Sequence, residues 1–186
     1  HSFAQYNLGV MYSRGQGVEQ DHKQAFYWYK KAAEQGNADA QYNLGNRYLI
    51  GQGVEQDYEQ AVYWYKNPAE QGDAFAQNML GYLYRKGKGV LQDYKKAVYW
   101  YKKAAEQGNA DALYSLGWMY YDGQGVTQDN AKSIMWLNIS EYMGDRNAAS
   151  KARDIISIKM SSEQIAEAQR MAKEWIENFE KRKEKE

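Results

Sequence analysis

Small and aromatic residues recur along this chain at the three- and four-residue spacing of an α-helix. Such spacing places each set on one face of a helix, so the pattern predicts an all-α protein. The first set consists of Ala4, Leu8 and Tyr12, and the second consists of Ala25, Trp28, Tyr29 and Ala32. One pair of helices cannot bury both stripes alone, which indicates that neighbouring pairs stack.

The whole pattern returns every 36 residues. Strings related to AQYNLG begin at Ala4, Ala40, Ala76 and Ala112. Strings related to GQGVEQD begin at Gly15, Gly51, Gly87 and Gly123. A fixed period of this length is typical of repeat proteins, in which each repeat is one supersecondary unit.

The glycine-rich string lies between two helical patterns, and it follows no β-strand. We therefore interpret G-x-G as turn chemistry and not as a phosphate-binding loop. An aspartate follows each turn where its carboxylate can cap the next helix: Asp21, Asp57, Asp93 and Asp129. Each repeat closes on a glycine followed by a second capping residue: Asn37, Asp73, Asn109 and Asp145. Each repeat is thus predicted to be helix A, a turn and helix B.

The pattern A-Q-Y-x-L-G-x-x-Y-x-x-G-x-G-V-x-Q-D, followed by A-V-Y-W-Y-K-K-A-A-E-Q-G, closely resembles the Sel-one-like repeat family, which is related to the tetratricopeptide repeat. The resemblance covers Ala4 to about Gly144. It implies an all-α fold, a right-handed α-solenoid of stacked antiparallel helix pairs. In such a fold the A helices line the concave face and the B helices the convex face.

We predict a single domain over residues 1–186, with four full repeats of 36 residues. The predicted segments are repeats at about 2–36, 37–72, 73–108 and 109–144, a capping helix pair at 145–180 and a charged tail at 181–186. Ser161 is expected to open the last helix. Pro68 is expected to kink helix B of the second repeat or end it early. Because no polar cap precedes Phe3, we expect the natural chain to extend upstream.

Charge and composition narrow the functional classes. The 24 basic and 24 acidic residues leave no net charge to attract nucleic acid, and no apolar run approaches the about 18 residues of a membrane span. Cysteine is absent, and His22 is the only histidine beyond His1, which resembles an expression-tag remnant. These features disfavour thiol catalysis, His-based triads and zinc sites. We expect no catalytic residues, no metal and no cofactor.

A second stripe on helix A lies roughly opposite the buried one, and its residues differ from repeat to repeat. With its flanking positions it forms the predicted partner-binding groove: Asn7, Arg14, Asn43, Asn46, Phe75, Met79, Tyr82, Arg85, Lys86, Ser115, Trp118, Tyr121 and Asp122. Aromatic residues concentrate in the third and fourth repeats, which suits a binding hot spot. The alternative for the stripe as a whole is that its variation marks only solvent exposure. For Trp118 a separate alternative is that the indole packs against the next helix pair.

The resemblance implies a non-catalytic scaffold or adaptor that binds a protein or peptide partner on its concave surface. An alternative is an immunity protein that neutralises a secreted bacterial toxin. A third alternative is an enzyme that acts on β-lactams. The family members linked to this activity form a subgroup whose repeats carry paired cysteines, which this chain lacks. We expect a monomer in isolation, and the resemblance favours a periplasmic or secreted protein over a cytoplasmic one.

Overall fold

The computed structural model describes residues 1–185, apart from the side chain of Arg146. Within that part the chain is all-α, with no strand, as the sequence pattern predicts. Its helices are α1 (Ser2–Arg14), α2 (His22–Ala33), α3 (Ala38–Ile50), α4 (Tyr58–Glu70), α5 (Ala74–Lys86), α6 (Tyr94–Ala105), α7 (Ala110–Asp122), α8 (Asn130–Tyr142), α9 (Arg146–Ser157) and α10 (Ser162–Lys183). Helices α1 to α8 are the A and B helices of four repeats.

The residues predicted to cap the helices are found at the helix N-termini. The Asp57 carboxylate accepts the backbone N–H of Gln60 at 3.0 Å, and the Asn37 side chain accepts that of Ala40 at 2.7 Å. The same arrangement opens every helix B and helices α3, α5 and α7. At the last helix the predicted Ser161 cap is confirmed. These caps accept hydrogen bonds from backbone N–H groups of the first helical turn, which have no partner inside the helix. They therefore mark where the helices of each repeat begin.

A glutamine just before each helix B ties the turn to helix A. Its side-chain amide donates a hydrogen bond to a backbone carbonyl seven residues earlier, in the last turn of helix A, where carbonyls lack helical partners. The bonds join Gln20 to Ser13, Gln56 to Leu49, Gln92 to Arg85 and Gln128 to Tyr121, at 2.7 to 2.8 Å. The recurring glutamine therefore has a structural role that the sequence pattern alone did not reveal.

The chain divides into two compact units, which begin at His1 and at Asp93. In the first unit, helices α2 and α3 bury small residues around one tyrosine and one leucine. This core consists of Ala25, Tyr29, Ala32, Ala33, Ala40 and Leu44, and Trp64 of α4 packs against it. This core therefore joins helix B of the first repeat to helix A of the second.

In the second unit, both α9 and α10 pack against α8, so the predicted capping pair covers the fourth repeat. The shared core consists of Ile134, Leu137, Ala149, Ala152, Ile156 and Ala168. Arg153, which stands where helix A of the repeats has glycine, forms an ion pair with Glu141 of α8. Helix α10 continues to Lys183, so the first part of the predicted charged tail is helical, and Glu186 lies outside the described residues.

Pro68 lies inside α4, and the helix continues past it to Glu70. Of the two outcomes predicted for Pro68, the early helix end is wrong and the kink stays a prediction. Proline removes the backbone donor that would reach the carbonyl of Trp64, but its own carbonyl still accepts the N–H of Asp73 at 2.9 Å. The closing turn of the repeat is therefore formed even though one helical hydrogen bond is lost.

We expect Pro68→Ala to raise the free energy of unfolding by about 1 kcal/mol. Alanine restores the missing helical hydrogen bond, and the gain is reduced because proline restricts the unfolded chain. Chemical denaturation followed by circular dichroism measures the change. The reverse substitution at the equivalent position of α2, Ala32→Pro, is the matched control and is expected to cost about 3 kcal/mol. A lower midpoint for Pro68→Ala would contradict the prediction.

Candidate functional site

Every residue of the predicted groove is at least partly accessible. Exposed members are Asn7, Arg14, Phe75, Lys86 and Asp122. Partly exposed members are Asn43, Asn46, Met79, Tyr82, Arg85, Ser115, Trp118 and Tyr121. The other helix A stripe is buried in the inner repeats, at Ala40, Leu44, Ala76, Leu80, Ala112 and Leu116. We call the accessible set the helix A surface and describe it separately in each unit.

In the first unit the helix A surface exposes an aromatic ring that rests on others. Phe75 is 60% exposed, and its ring centroid lies 6.3 Å from that of Tyr42. The Tyr42 ring lies 5.8 Å from that of Tyr65, which is fully buried. Phe75 therefore presents its ring to solvent on a support that continues into the core.

The asparagines of this surface already have partners in the protein. Asn46 accepts a hydrogen bond of 2.6 Å from the hydroxyl of Tyr65, whose pKa is raised by burial. The Asn43 amide donates to the carbonyl of Asp39 at 2.8 Å. Asn46 thus satisfies a core tyrosine, and one donor of Asn43 is used inside its own helix. Both side chains help to hold the surface in place.

Basic side chains gather at the end of α5. Arg85 is partly buried, and its Nε has no hydrogen-bond partner in the described part of the chain, while Lys86 is exposed. Beyond the helix, the Lys88 ammonium donates to the hydroxyl of Tyr58 at 3.1 Å, and this bond raises the pKa of Lys88. The end of α5 is therefore positively charged at neutral pH.

In the second unit, Trp118 stands between two tyrosines. Its ring centroid lies 6.3 Å from that of Tyr114 and 5.7 Å from that of Tyr121, both in edge-to-face contact. The same indole packs against the core shared by α8, α9 and α10. Trp118 therefore contributes to folding, while part of its ring remains accessible.

A polar cluster that the sequence analysis missed joins the first two repeats. The guanidinium of Arg47 donates to Ser13 and Gln52 and lies 3.3 Å from His22 Nδ1, and it lies over the ring of Tyr29. Arg47 is only 6% exposed. An available signal was that arginine stands in a column of otherwise apolar residues, Met11, Leu83 and Met119. His22 belongs to this structural cluster.

The described residues contain no group of three or more histidine, cysteine, aspartate or glutamate side chains that could hold a metal ion. Their helices also include none that is both long and apolar enough to cross a membrane.

Comparison with known proteins identifies the repeat. The family model for the Sel1 repeat matches residues 2–37, 38–73, 74–109 and 110–145. Each matched segment begins and ends within one residue of the corresponding predicted repeat. No curated protein matched the chain.

Solved structures show the same fold. A protective antigen of uropathogenic Escherichia coli strains with an SLR fold is 36% identical, with a TM-score of 0.87 over 96% of this chain and 38% of its own. A Sel1 repeat protein of Oxalobacter formigenes is 35% identical, with a TM-score of 0.80 over 96% and 71%. Cysteine rich protein B of Helicobacter pylori is 24% identical, with a TM-score of 0.55 over 74% and 98%, and shares the fold.

This chain thus spans well under half of the Escherichia coli antigen and about seven tenths of the Oxalobacter protein. The repeat period, the caps, the four matched segments and the similarity to these structures all agree. The chain belongs to the Sel1 repeat family.

Proposed function

We propose that this protein is a non-catalytic scaffold that binds a protein or peptide partner through its helix A surface. The observation that carries the proposal is the exposed ring of Phe75 beside Tyr42. The equivalent positions of the second and fourth repeats hold Asp39 and Asp111, so the stacking of repeats does not require an aromatic ring there. An exposed aromatic ring on a rigid support is the kind of residue that anchors a partner.

The positive charges at the end of α5 favour a partner that also carries a carboxylate. Arg85 and Lys86 lie on the same helix as Phe75, three turns closer to its C-terminal end. We propose that the partner places an apolar or aromatic side chain on Phe75 and a carboxylate near the end of α5. Arginine pairs with carboxylates through two parallel hydrogen bonds, which would fix the direction of a bound segment.

The proposal predicts that Phe75→Ala removes a partner without unfolding the protein. The test captures proteins from the natural host on immobilised wild-type protein, identifies them by mass spectrometry and then measures the affinity of each for the variant. We expect a loss of at least about tenfold in affinity, which is the contribution of a hot-spot ring. Because Phe75 lies mostly in solvent, the melting temperature is expected to stay nearly unchanged.

Tyr63→Ala is the matched control, since Tyr63 is a similarly exposed aromatic residue on helix B, at 63%. It is expected to leave the affinity unchanged. Equal effects of the two substitutions on every captured protein would show that helix A is not the binding surface.

A further inference from the structure

A groove of about 710 Å³ lies between α8 and α10 in the second unit, on helices that do not contribute to the helix A surface. Ala172 and Ile176 of α10 form its apolar part, and Tyr142 of α8 borders it with a ring that is 55% exposed. A volume of this size accommodates one or two amino-acid side chains, and apolar lining favours the entry of an aliphatic one.

The border of the groove is acidic. Glu141, Glu177 and Glu180 line it, together with a single cation, Lys173. Glu141 is already paired with Arg153. Lys173 lies 3.9 Å from Glu177, and its side chain is largely exposed, so this ion pair is weak. Two carboxylates one helical turn apart, those of Glu177 and Glu180, therefore retain negative charge and free oxygen atoms at the groove.

A hydrogen bond to Tyr142 holds the negatively charged Glu180 side chain in place at the groove. The Tyr142 hydroxyl donates a hydrogen bond to Glu180, and this bond to a carboxylate raises the pKa of Tyr142. One oxygen of Glu180 is held toward the α8 side of the groove, which leaves the other for a ligand. The neighbouring apolar surface of Ile176 excludes water from one side of such a contact and strengthens its attraction to a cation.

We propose that this groove binds a basic peptide segment of a partner protein. An arginine side chain of the segment lies between Glu177 and Glu180, with its methylene groups on Ile176 and Ala172. Charge complementarity selects arginine or lysine over acidic residues, and the apolar part of the groove matches the long aliphatic stem that both side chains carry. This surface is separate from the helix A surface, so the protein carries two binding surfaces of different chemistry.

The test uses a fluorescein-labelled peptide that alternates leucine and arginine. Matched peptides replace arginine with its neutral analogue citrulline or with glutamate, and binding to the full chain is followed by fluorescence anisotropy. We expect saturable binding of the arginine peptide that weakens with added salt, and binding of the citrulline peptide that is weaker by about tenfold. Equal binding of the arginine and citrulline peptides, or no saturable binding of the arginine peptide, would overturn the proposal.

Variants locate the binding site. Combined Glu177→Gln and Glu180→Gln is expected to weaken the arginine peptide by about tenfold, because two charge-assisted contacts are lost. Glu167→Gln is the control on the same helix, since Glu167 pairs with Arg170 and does not line the groove. Its affinity is expected to match that of the wild type. Wild-type affinity of the double variant, with a melting curve showing that it is folded, would place the peptide elsewhere.

The Phe75→Ala variant separates this proposal from the helix A surface. We expect it to bind the arginine peptide with unchanged affinity, because Phe75 lies in the other unit. Loss of peptide binding in this folded variant would assign the peptide to the helix A surface and would overturn the groove proposal.

Discussion

Gly89→Ala is expected to lower the free energy of unfolding by about 3 kcal/mol, because two separate costs add. Gly89 has a backbone φ of +68°, which is unfavourable for a residue with a Cβ. In addition, a Cβ at this position would overlap the backbone carbonyl of Tyr58 and lie only 2.6 Å from the backbone nitrogen of Glu59. Main-chain atoms at the start of α4 cannot move aside as a flexible side chain can. Chemical denaturation followed by circular dichroism measures the loss.

Gly17→Ala separates the two costs. Gly17 occupies the same turn position and has a similar φ of +75°, but a Cβ there would meet only the end of the Met11 side chain, at 3.5 Å. We expect this variant to lose about 1 kcal/mol, from backbone strain alone. Similar losses for Gly17→Ala and Gly89→Ala would show that the close approach between repeats contributes nothing measurable to stability.

Trp118→Ala is expected to cost about 3 kcal/mol of folding stability, since truncation leaves a cavity against the core of α8, α9 and α10. Two edge-to-face contacts, with Tyr114 and Tyr121, are lost as well. Thermal and chemical denaturation measure this loss, and Trp118→Phe, which keeps a ring in the site, is expected to lose less. A stability equal to that of the wild type would contradict the packing role.

The binding hypothesis for Trp118 makes an independent prediction. If the accessible part of the indole also anchors a partner, Trp118→Ala lowers affinity by at least about 2 kcal/mol under conditions where the variant is folded. Tyr63→Ala is the control, because it removes an exposed ring that lies on a helix B and does not belong to the helix A surface. An unchanged affinity for every captured partner would leave Trp118 with a structural role only.

The spacing of residues and the capping rules were enough to predict the order of the repeats and where each begins and ends. Asp57 and Asn37 cap helices where expected because a cap depends on residues only three positions away. The Sel1 repeat segments accordingly fall close to the predicted boundaries. The expectation that α4 ends early at Pro68 failed, because the loss of one hydrogen bond did not terminate a helix whose buried residues include Tyr65 and Ala69.

These local rules did not predict the contacts between repeats. Both glycines of G-x-G were assigned to the turn, yet Gly53 and Gly89 also lie against the backbone of the preceding repeat. Arg47 stood in an apolar column with no visible reason, and its partners Ser13 and His22 are 34 and 25 residues away. No periodic pattern predicts such a cluster, because Arg47, Ser13 and His22 each occur in only one copy of the repeat.

The sequence by itself determined the all-α class, the period, the caps and the accessible stripe of helix A, because all of these follow from spacing along a single helix or turn. Only the tertiary structure decided that Trp118 packs against the core shared by α8, α9 and α10 and that Asn46 satisfies a buried tyrosine. It also revealed the acidic groove between α8 and α10. These features depend on side chains from separate helices meeting in space, and that meeting is set by how the helices pack, which the spacing of residues does not specify.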